Sequence, residues 1–380
     1  MSRQSLTAHS KAESLTQETG FVELFDRQIR EVFKDALKTC LRHPALAMFF
    51  ARTVTAQRRA MRRRRKWEEQ GVHVPPLLIA SVTNRCNLRC ANCYAQTQHW
   101  SAEEEMSIPR WKELFREAQG LGISIIMLAG GEPFTRPELL NLTREFPDIV
   151  FPLFTNGLLL GAETVEELKR QRHVIPVISL EGFELETDTR RGAGVYERVR
   201  HVIARLEAND IFFGVSLTVS RLNFPGLARG EFLDMLCDSG CRMFIFVEFT
   251  PVSEGTEELC LTREQKQELE TVKRRFRQRR QSVVIGFPGD EEQYGGCLAA
   301  GRGFIHVSPD GALEACPFAP WSDTTVRQSS LREALQSRLM DRIREGHDRL
   351  SETTGGCALW RNQDWVRSLL TPQSATRARR

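Results

Sequence analysis

Three of the chain's ten cysteines, Cys86, Cys90 and Cys93, fall within eight positions of "SVTNRCNLRCANCYAQ". Thiolates are soft ligands suited to zinc, copper(I) or iron–sulfur clusters, and a structural zinc normally takes four protein ligands. Only three are at hand here. A C-x3-C-x2-C loop can instead wrap three corners of a cubane [4Fe-4S] cluster and leave the fourth iron open to a small molecule. A second set, Cys297, Cys316 and Cys357, is spread through the last third of the chain, around "GFIHVSPDGALEACPF". Its Pro309-Asp310-Gly311 turn reads as a hairpin that can present Cys297 and Cys316 to one place, with a returning segment bringing Cys357. Cys40, Cys237, Cys241 and Cys260 read as buried small hydrophobes, Cys237 and Cys241 being i, i+4 on an expected helix.

The elements that must position these residues repeat along the chain. Six short apolar runs cover 77–83, 124–130, 150–156, 174–182, 211–219 and 243–252. They are continuously apolar rather than alternating, as strands covered on both faces by crossover helices are. Helical patterns lie between them, such as "PRWKELFREAQG" with Trp111, Leu114, Phe115 and Ala118 on one face and Gly120 as its stop signal. Six βα units imply an α/β fold with a parallel sheet, either a partial barrel or an open doubly wound sheet, and in both the ligands sit at the carboxyl ends of the strands.

Upstream, Val22, Phe25, Ile29, Val32, Phe33, Leu37 and Cys40 form one stripe of an amphipathic helix ending before Pro44. An apolar patch, "ALAMFF", follows, and then eight basic residues from Arg52 to Lys66 with no acid among them. Three readings stand for this arm: a structural helix lying on the barrel, a peripheral membrane anchor, and a nucleic-acid contact. The last is disfavoured because no base-stacking aromatics are interleaved. The balance of 53 basic against 49 acidic residues leaves a net charge of +4, so any electrostatic preference must be local. The first residues are polar and no apolar run is long enough to span a bilayer, so the expected location is the cytoplasm, with the inner membrane surface open to the basic arm. Thiols stay reduced there, which favours metal binding over disulfides.

The C-x3-C-x2-C motif after the first strand resembles the defining motif of the radical S-adenosylmethionine (SAM) enzymes. The resemblance implies a partial (β/α)6 TIM-like barrel and a [4Fe-4S] cluster on Cys86, Cys90 and Cys93 with SAM on the open iron. It further implies reductive cleavage of SAM to a 5′-deoxyadenosyl radical that abstracts hydrogen. "AGGEPF" ends the second strand, and the family pattern implies that Gly130, Gly131, Glu132 and Pro133 bind the methionine amino group. The glycines would let backbone approach the ligand, and Glu132 would accept from the ammonium or brace the loop. "FTNG" offers Thr155 and Asn156 to a ribose or carboxylate, and "SLEG" offers Ser179, with Glu181 where many relatives have Asp. Relatives carry an aromatic residue just before the third cysteine; here Asn92 stands there, and the resemblance leaves adenine packing to Tyr94 or to another residue.

The C-terminal cysteines resemble the auxiliary-cluster extension called SPASM, in its shortened twitch form, which implies a second iron–sulfur cluster on Cys297, Cys316 and Cys357. The expected division is a helical basic arm over 1–75, the radical SAM core over 76–285 and a small α+β domain over 286–380. A flavodoxin or ferredoxin is implied as electron donor. The leading substrate expectation is a peptide or protein, with a lipid or isoprenoid second. A non-catalytic iron–sulfur electron carrier or scaffold is the alternative of another class.

Overall fold

Nine strands make one sheet in the order β7-β6-β5-β4-β3-β2-β1-β8-β9. They are β1 Leu77–Thr83, β2 Ile125–Gly130, β3 Phe151–Thr155, β4 Val174–Leu180, β5 Gly214–Val219, β6 Met243–Glu248, β7 Val283–Gly286, β8 Phe304–Val307 and β9 Leu313–Glu314. The structure is a computed structural model that describes residues 25–40, 43–98, 104–280, 282–287, 296–350 and 357–370. Val22 of the amphipathic stripe, the glycines before Cys357 and the C-terminal "SATRARR" lie outside the described residues.

All six expected strands are present, and β1 to β7 pair in parallel. Strand order runs without reversal from β1 to β7, whereas a doubly wound sheet reverses at a switch point. The sheet is therefore the partial-barrel alternative. β1 shows why its run is unbroken: every residue from Leu78 to Thr83 is buried.

Crossover helices seal the outside. Helix Ile108–Leu121 starts where the Ser107 hydroxyl accepts from the Arg110 amide and buries Trp111, Leu114, Phe115, Ala118 and Leu121. Its stop is Gly122 rather than Gly120. Gly122 takes φ +100°, and a Cβ there would lie 2.6 Å from the Ala60 carbonyl oxygen. Gly120 simply continues the helix. Cys237 closes helix Glu231–Asp238 while Cys241 falls beyond it, and all four cysteines read as structural are buried.

The arm folds as two helices, α1 over 25–39 and α2 Pro44–Glu68. Together they cap the base of the barrel. Phe33, Ala36, Cys40, Leu46 and Phe50 pack on residues at the amino ends of the strands, among them Val150, Ile175, Met243 and Val283. Phe50 meets Phe212 edge-on at 4.9 Å. Arg64, buried in the same seam, pairs with buried Asp26 and donates to the Gly122 carbonyl. The apolar patch that suggested a membrane anchor thus spends Leu46 and Phe50 on the barrel base.

The Pro309-Asp310-Gly311 hairpin forms, with β8 and β9 antiparallel, but it is no free-standing sheet. β8 pairs in parallel with β1 and extends the barrel. A fully buried side-chain chain locks this seam: the Ser81 hydroxyl lies 2.8 Å from His306 Nε2, and His306 Nδ1 lies 2.7 Å from Glu314. Burial pushes the His306 imidazole down to about 3, so it is neutral. With Nδ1 donating to the carboxylate, Nε2 is left to accept from Ser81.

Candidate active site

The loop between β1 and the short helix Tyr94–Gln98 carries Cys86, Cys90 and Cys93 at the carboxyl end of the barrel. All three line one cavity of about 1200 Å³, open mouth included, together with Gly130, Gly131 and Glu132. Asn156, Thr155, Ser179 and Tyr94 line it too, so residues from four strand ends that are far apart in sequence converge there. Asn92 takes φ +54°, a left-handed conformation that asparagine tolerates better than an aromatic residue would. This gives a backbone reason for the departure noted at that position.

The thiols sit in a setting that rewards metal ligation. Burial pushes both Cys86 and Cys90 up from the ordinary thiol range, with the Arg191 and Arg190 charges partly offsetting it at Cys90. Such groups do not ionise readily alone, and a bound cation supplies the charge that holds them as thiolates. Donors face them: the Leu88 amide lies 3.4 Å from Cys86 Sγ, and Asn156 Nδ2 and Arg191 Nη1 lie 4.0 Å from Cys86 and Cys90. Three thiols, hydrogen-bond donors aimed at sulfur, and space beside them fit a thiolate-held iron–sulfur cluster with one open corner.

The glycine motif also packs against the cysteine loop. The Gly131 amide donates to Thr83 O at 2.7 Å, and the Glu132 amide donates to Arg85 O at 2.8 Å. A Cβ at Gly130 would lie 2.4 Å from Thr83 O, and one at Gly131 would lie 2.2 Å from Arg85 O. The close approach is to the cysteine loop's own backbone, so these glycines fix the loop that carries the thiols. Glu132 is the brace: its carboxylate accepts from the Thr155 hydroxyl at 2.8 Å, the Asn156 amide at 2.8 Å and the Phe134 amide at 3.1 Å. Burial nevertheless pushes its carboxyl above the usual range.

Glu181 likewise faces protein. It is buried and pairs with Arg190 at 2.6 Å and Arg191 at 2.6 Å. Burial works against its charge, but the two guanidiniums outweigh that and hold its carboxyl below the usual range. Arg190 and Arg191 line the cavity and escaped the sequence reading. The available signal was "TRRG", an arginine pair ending the helix after an acid at a strand end, but nothing local says that the pair turns back to that acid. Glu248, Thr250, Phe287 and Phe318 also line the cavity and were missed. Tyr94 packs edge-on against Phe318 at 4.9 Å, joining the cysteine loop to the C-terminal segment.

Cys316 and Cys357 are both 3% exposed, and Cys297 is half-buried. Burial, then the Cys357 hydrogen bond and the nearby Cys297, push the Cys316 thiol well above its ordinary value. The three thus share one neighbourhood, two residues from Phe318. Among the described residues no three His, Cys, Asp or Glu groups close on a single metal ion.

Comparison with known proteins places this geometry. Residues 80–236 match the radical SAM superfamily model. The chain is 28% identical over 311 residues to an AdoMet-dependent heme synthase of Methanosarcina barkeri, covering 75% of this chain and 89% of that protein. It is 26% identical over 326 residues to the mycofactocin maturase MftC of Mycobacterium tuberculosis, covering 81% and 75%. Among solved structures, Streptococcus suis SuiB bound to its precursor peptide SuiA superposes with a TM-score of 0.61 at 16% identity, over 79% of this chain and 72% of that one. Such relatives are enzymes, and the reading as a non-catalytic electron carrier falls with that. A barrel with three loop cysteines at its mouth thus carries a radical SAM domain over residues 80–236, and SPASM-type maturases are among the proteins it is similar to.

Proposed function

We propose that the chain holds a [4Fe-4S] cluster on Cys86, Cys90 and Cys93, binds SAM beside it, and modifies a peptide or protein substrate. The carrying observation is the convergence of three thiols and four strand ends on one open cavity. Held by Cys86, Cys90 and Cys93, the cluster would supply the one electron needed for reductive cleavage of SAM to methionine and a hydrogen-abstracting 5′-deoxyadenosyl radical. The chain's own contribution is placement. Glu132 pins the ends of β2 and β3 together, and Gly130 and Gly131 hold the cysteine loop at backbone contact. Met127, Phe154 and Phe249 line the cavity with apolar surface that keeps water from a reactive species. The methionine end of SAM falls to the Gly130–Pro133 turn and the ribose to Thr155, Asn156 or Ser179, while Tyr94 faces the adenine side.

A peptide substrate is supported by the relatives named as maturases and by SuiB, whose structure holds a precursor peptide. A second reading is a carboxylate-bearing ring substrate. It is favoured by the near full-length match to a heme synthase and by two guanidiniums in an otherwise largely apolar cavity. A lipid substrate lacks support from the arm, whose Leu46 and Phe50 face the barrel.

A second cluster on Cys297, Cys316 and Cys357, and a flavodoxin or ferredoxin as donor, complete the reading. The test is anaerobic reconstitution with iron and sulfide, reduction, addition of SAM and assay for 5′-deoxyadenosine. The wild type forms it and the Cys86/Cys90/Cys93 triple alanine variant does not, while retaining the iron of the second site. Equal product from both proteins would sink the assignment.

A further inference from the structure

The two arm helices cover the same barrel base but carry charge differently. In α1 the lysines are neutralised within the helix, Lys34 by Glu31 at 2.7 Å and Lys38 by Asp35 at 2.9 Å. α2 supplies no acid of its own before Glu68, and Arg52, Arg58, Arg59, Arg62, Arg63 and Lys66 are all exposed, Arg63 donating to the Gln119 carbonyl at 2.9 Å. Arg59 reaches Asp148 at 3.6 Å, but both side chains are more than half exposed and the pair neutralises little. At 1.5 Å rise per residue, the row from Arg52 to Lys66 extends over roughly 20 Å. The outward stripe continues to Met48, which is 54% exposed.

We propose that this outer face of α2 seats the base of the barrel on an anionic lipid headgroup surface, by charge rather than by insertion. The apolar side of the helix is already consumed by the barrel, and no helix among the described residues is long and apolar enough to cross a membrane. A linear, acid-free row of cations suits a flat field of negative headgroups. A nucleic-acid partner fits less well, because the aromatic residue at the end of the row, Trp67, is half-buried and covered by Arg332 at 4.9 Å. Docking at the base leaves the cavity, at the opposite ends of the strands, open to water. The bound enzyme then takes its substrate from solution and not from the bilayer it sits on.

The experiment is co-sedimentation of the full-length protein with vesicles of phosphatidylcholine alone or with about 30% phosphatidylglycerol, at low salt and at about 0.5 M salt. Binding to the anionic vesicles only, released by salt, is the expected result. Replacing four exposed cations, as in Arg52→Gln/Arg59→Gln/Arg62→Gln/Lys66→Gln, should weaken it more than about 100-fold, since each basic side chain near such a surface contributes roughly 5-fold. Thermal melting and 5′-deoxyadenosine formation stay unchanged, which separates lost docking from lost folding. No sedimentation with anionic vesicles, equal binding to neutral ones, an unaffected quadruple variant, or tighter binding to a duplex RNA than to the vesicles would each overturn the proposal.

Discussion

The two cysteine trios use the same side chain in opposite settings. Cys86, Cys90 and Cys93 stand half-exposed on a loop, at the edge of a cavity and within reach of Arg191 and Asn156. Cys316, two residues past β9, and Cys357, just before helix Ala358–Arg361, are nearly sealed. A site that must admit a cosubstrate and receive electrons has to leave its metal reachable, so its loop is held by backbone contacts that survive without metal. A sealed set of thiols has no such duty, and it doubles as core. The first trio should therefore matter to chemistry and the second to folding.

Removing the mouth trio is the largest expected effect on activity. The Cys86/Cys90/Cys93 triple alanine variant should lose 5′-deoxyadenosine formation entirely while its thermal midpoint moves by only about 2–3 °C. A large drop in midpoint would erase the contrast. On the proposed second cluster, Cys316→Ala should do the reverse to stability, since the C-terminal segment would forfeit metal-linked folding energy on the order of 10 kcal/mol. Differential scanning calorimetry, with iron counted in parallel, reads this directly. An unchanged midpoint would mean that the buried trio is packing alone.

At the mouth itself, Glu181→Gln leaves two guanidiniums without their carboxylate and should cost about 3–5 kcal/mol in urea unfolding. Its pH signature has a definite sign. The folded Glu181 carboxyl lies below its unfolded value of 4.5, so the stability it adds is present above that value and is lost as pH falls through the depressed one. Glu132 runs the other way, because its folded carboxyl is raised and it favours the protein at acid pH. An acid titration of wild type against Glu181→Gln should show the wild-type advantage shrinking below pH 4.5. The smallest effect is at the joint between the two regions. Phe318→Leu removes the edge-on contact with Tyr94, costs about 1 kcal/mol and should slightly loosen SAM binding, read as an increase in its Kd.

Much of this was legible in the sequence because it is local. Six strands showed as unbroken apolar runs, the mouth trio as a spacing, and the hairpin as Pro309-Asp310-Gly311. What escaped depends on partners remote in the chain. Gly130 and Gly131 read as approach to a ligand, and their contacts with Thr83 O and Arg85 O show only once the loop is folded over the strand end. The turn of Arg190 and Arg191 back to Glu181 needs the helix to be folded over the strand. The basic arm kept three readings open because composition does not reveal which face meets the barrel, and the pairing of β8 with β1 leaves no periodic mark at all.

That last pairing carries a consequence for how the protein is made. On a ribosome, β1 emerges early, and β2 soon covers one of its edges. The other edge waits for β8, more than 200 residues later. At translation rates of about 5–20 residues per second, the open backbone of the strand that leads to the cysteine loop stays exposed for roughly 10 to 45 s. An unpaired strand edge is a template for pairing with other chains. Nascent or truncated chains ending before residue 304 should therefore be the aggregation-prone species in its biosynthesis, and the arrival of His306 against Ser81 the step that ends the hazard.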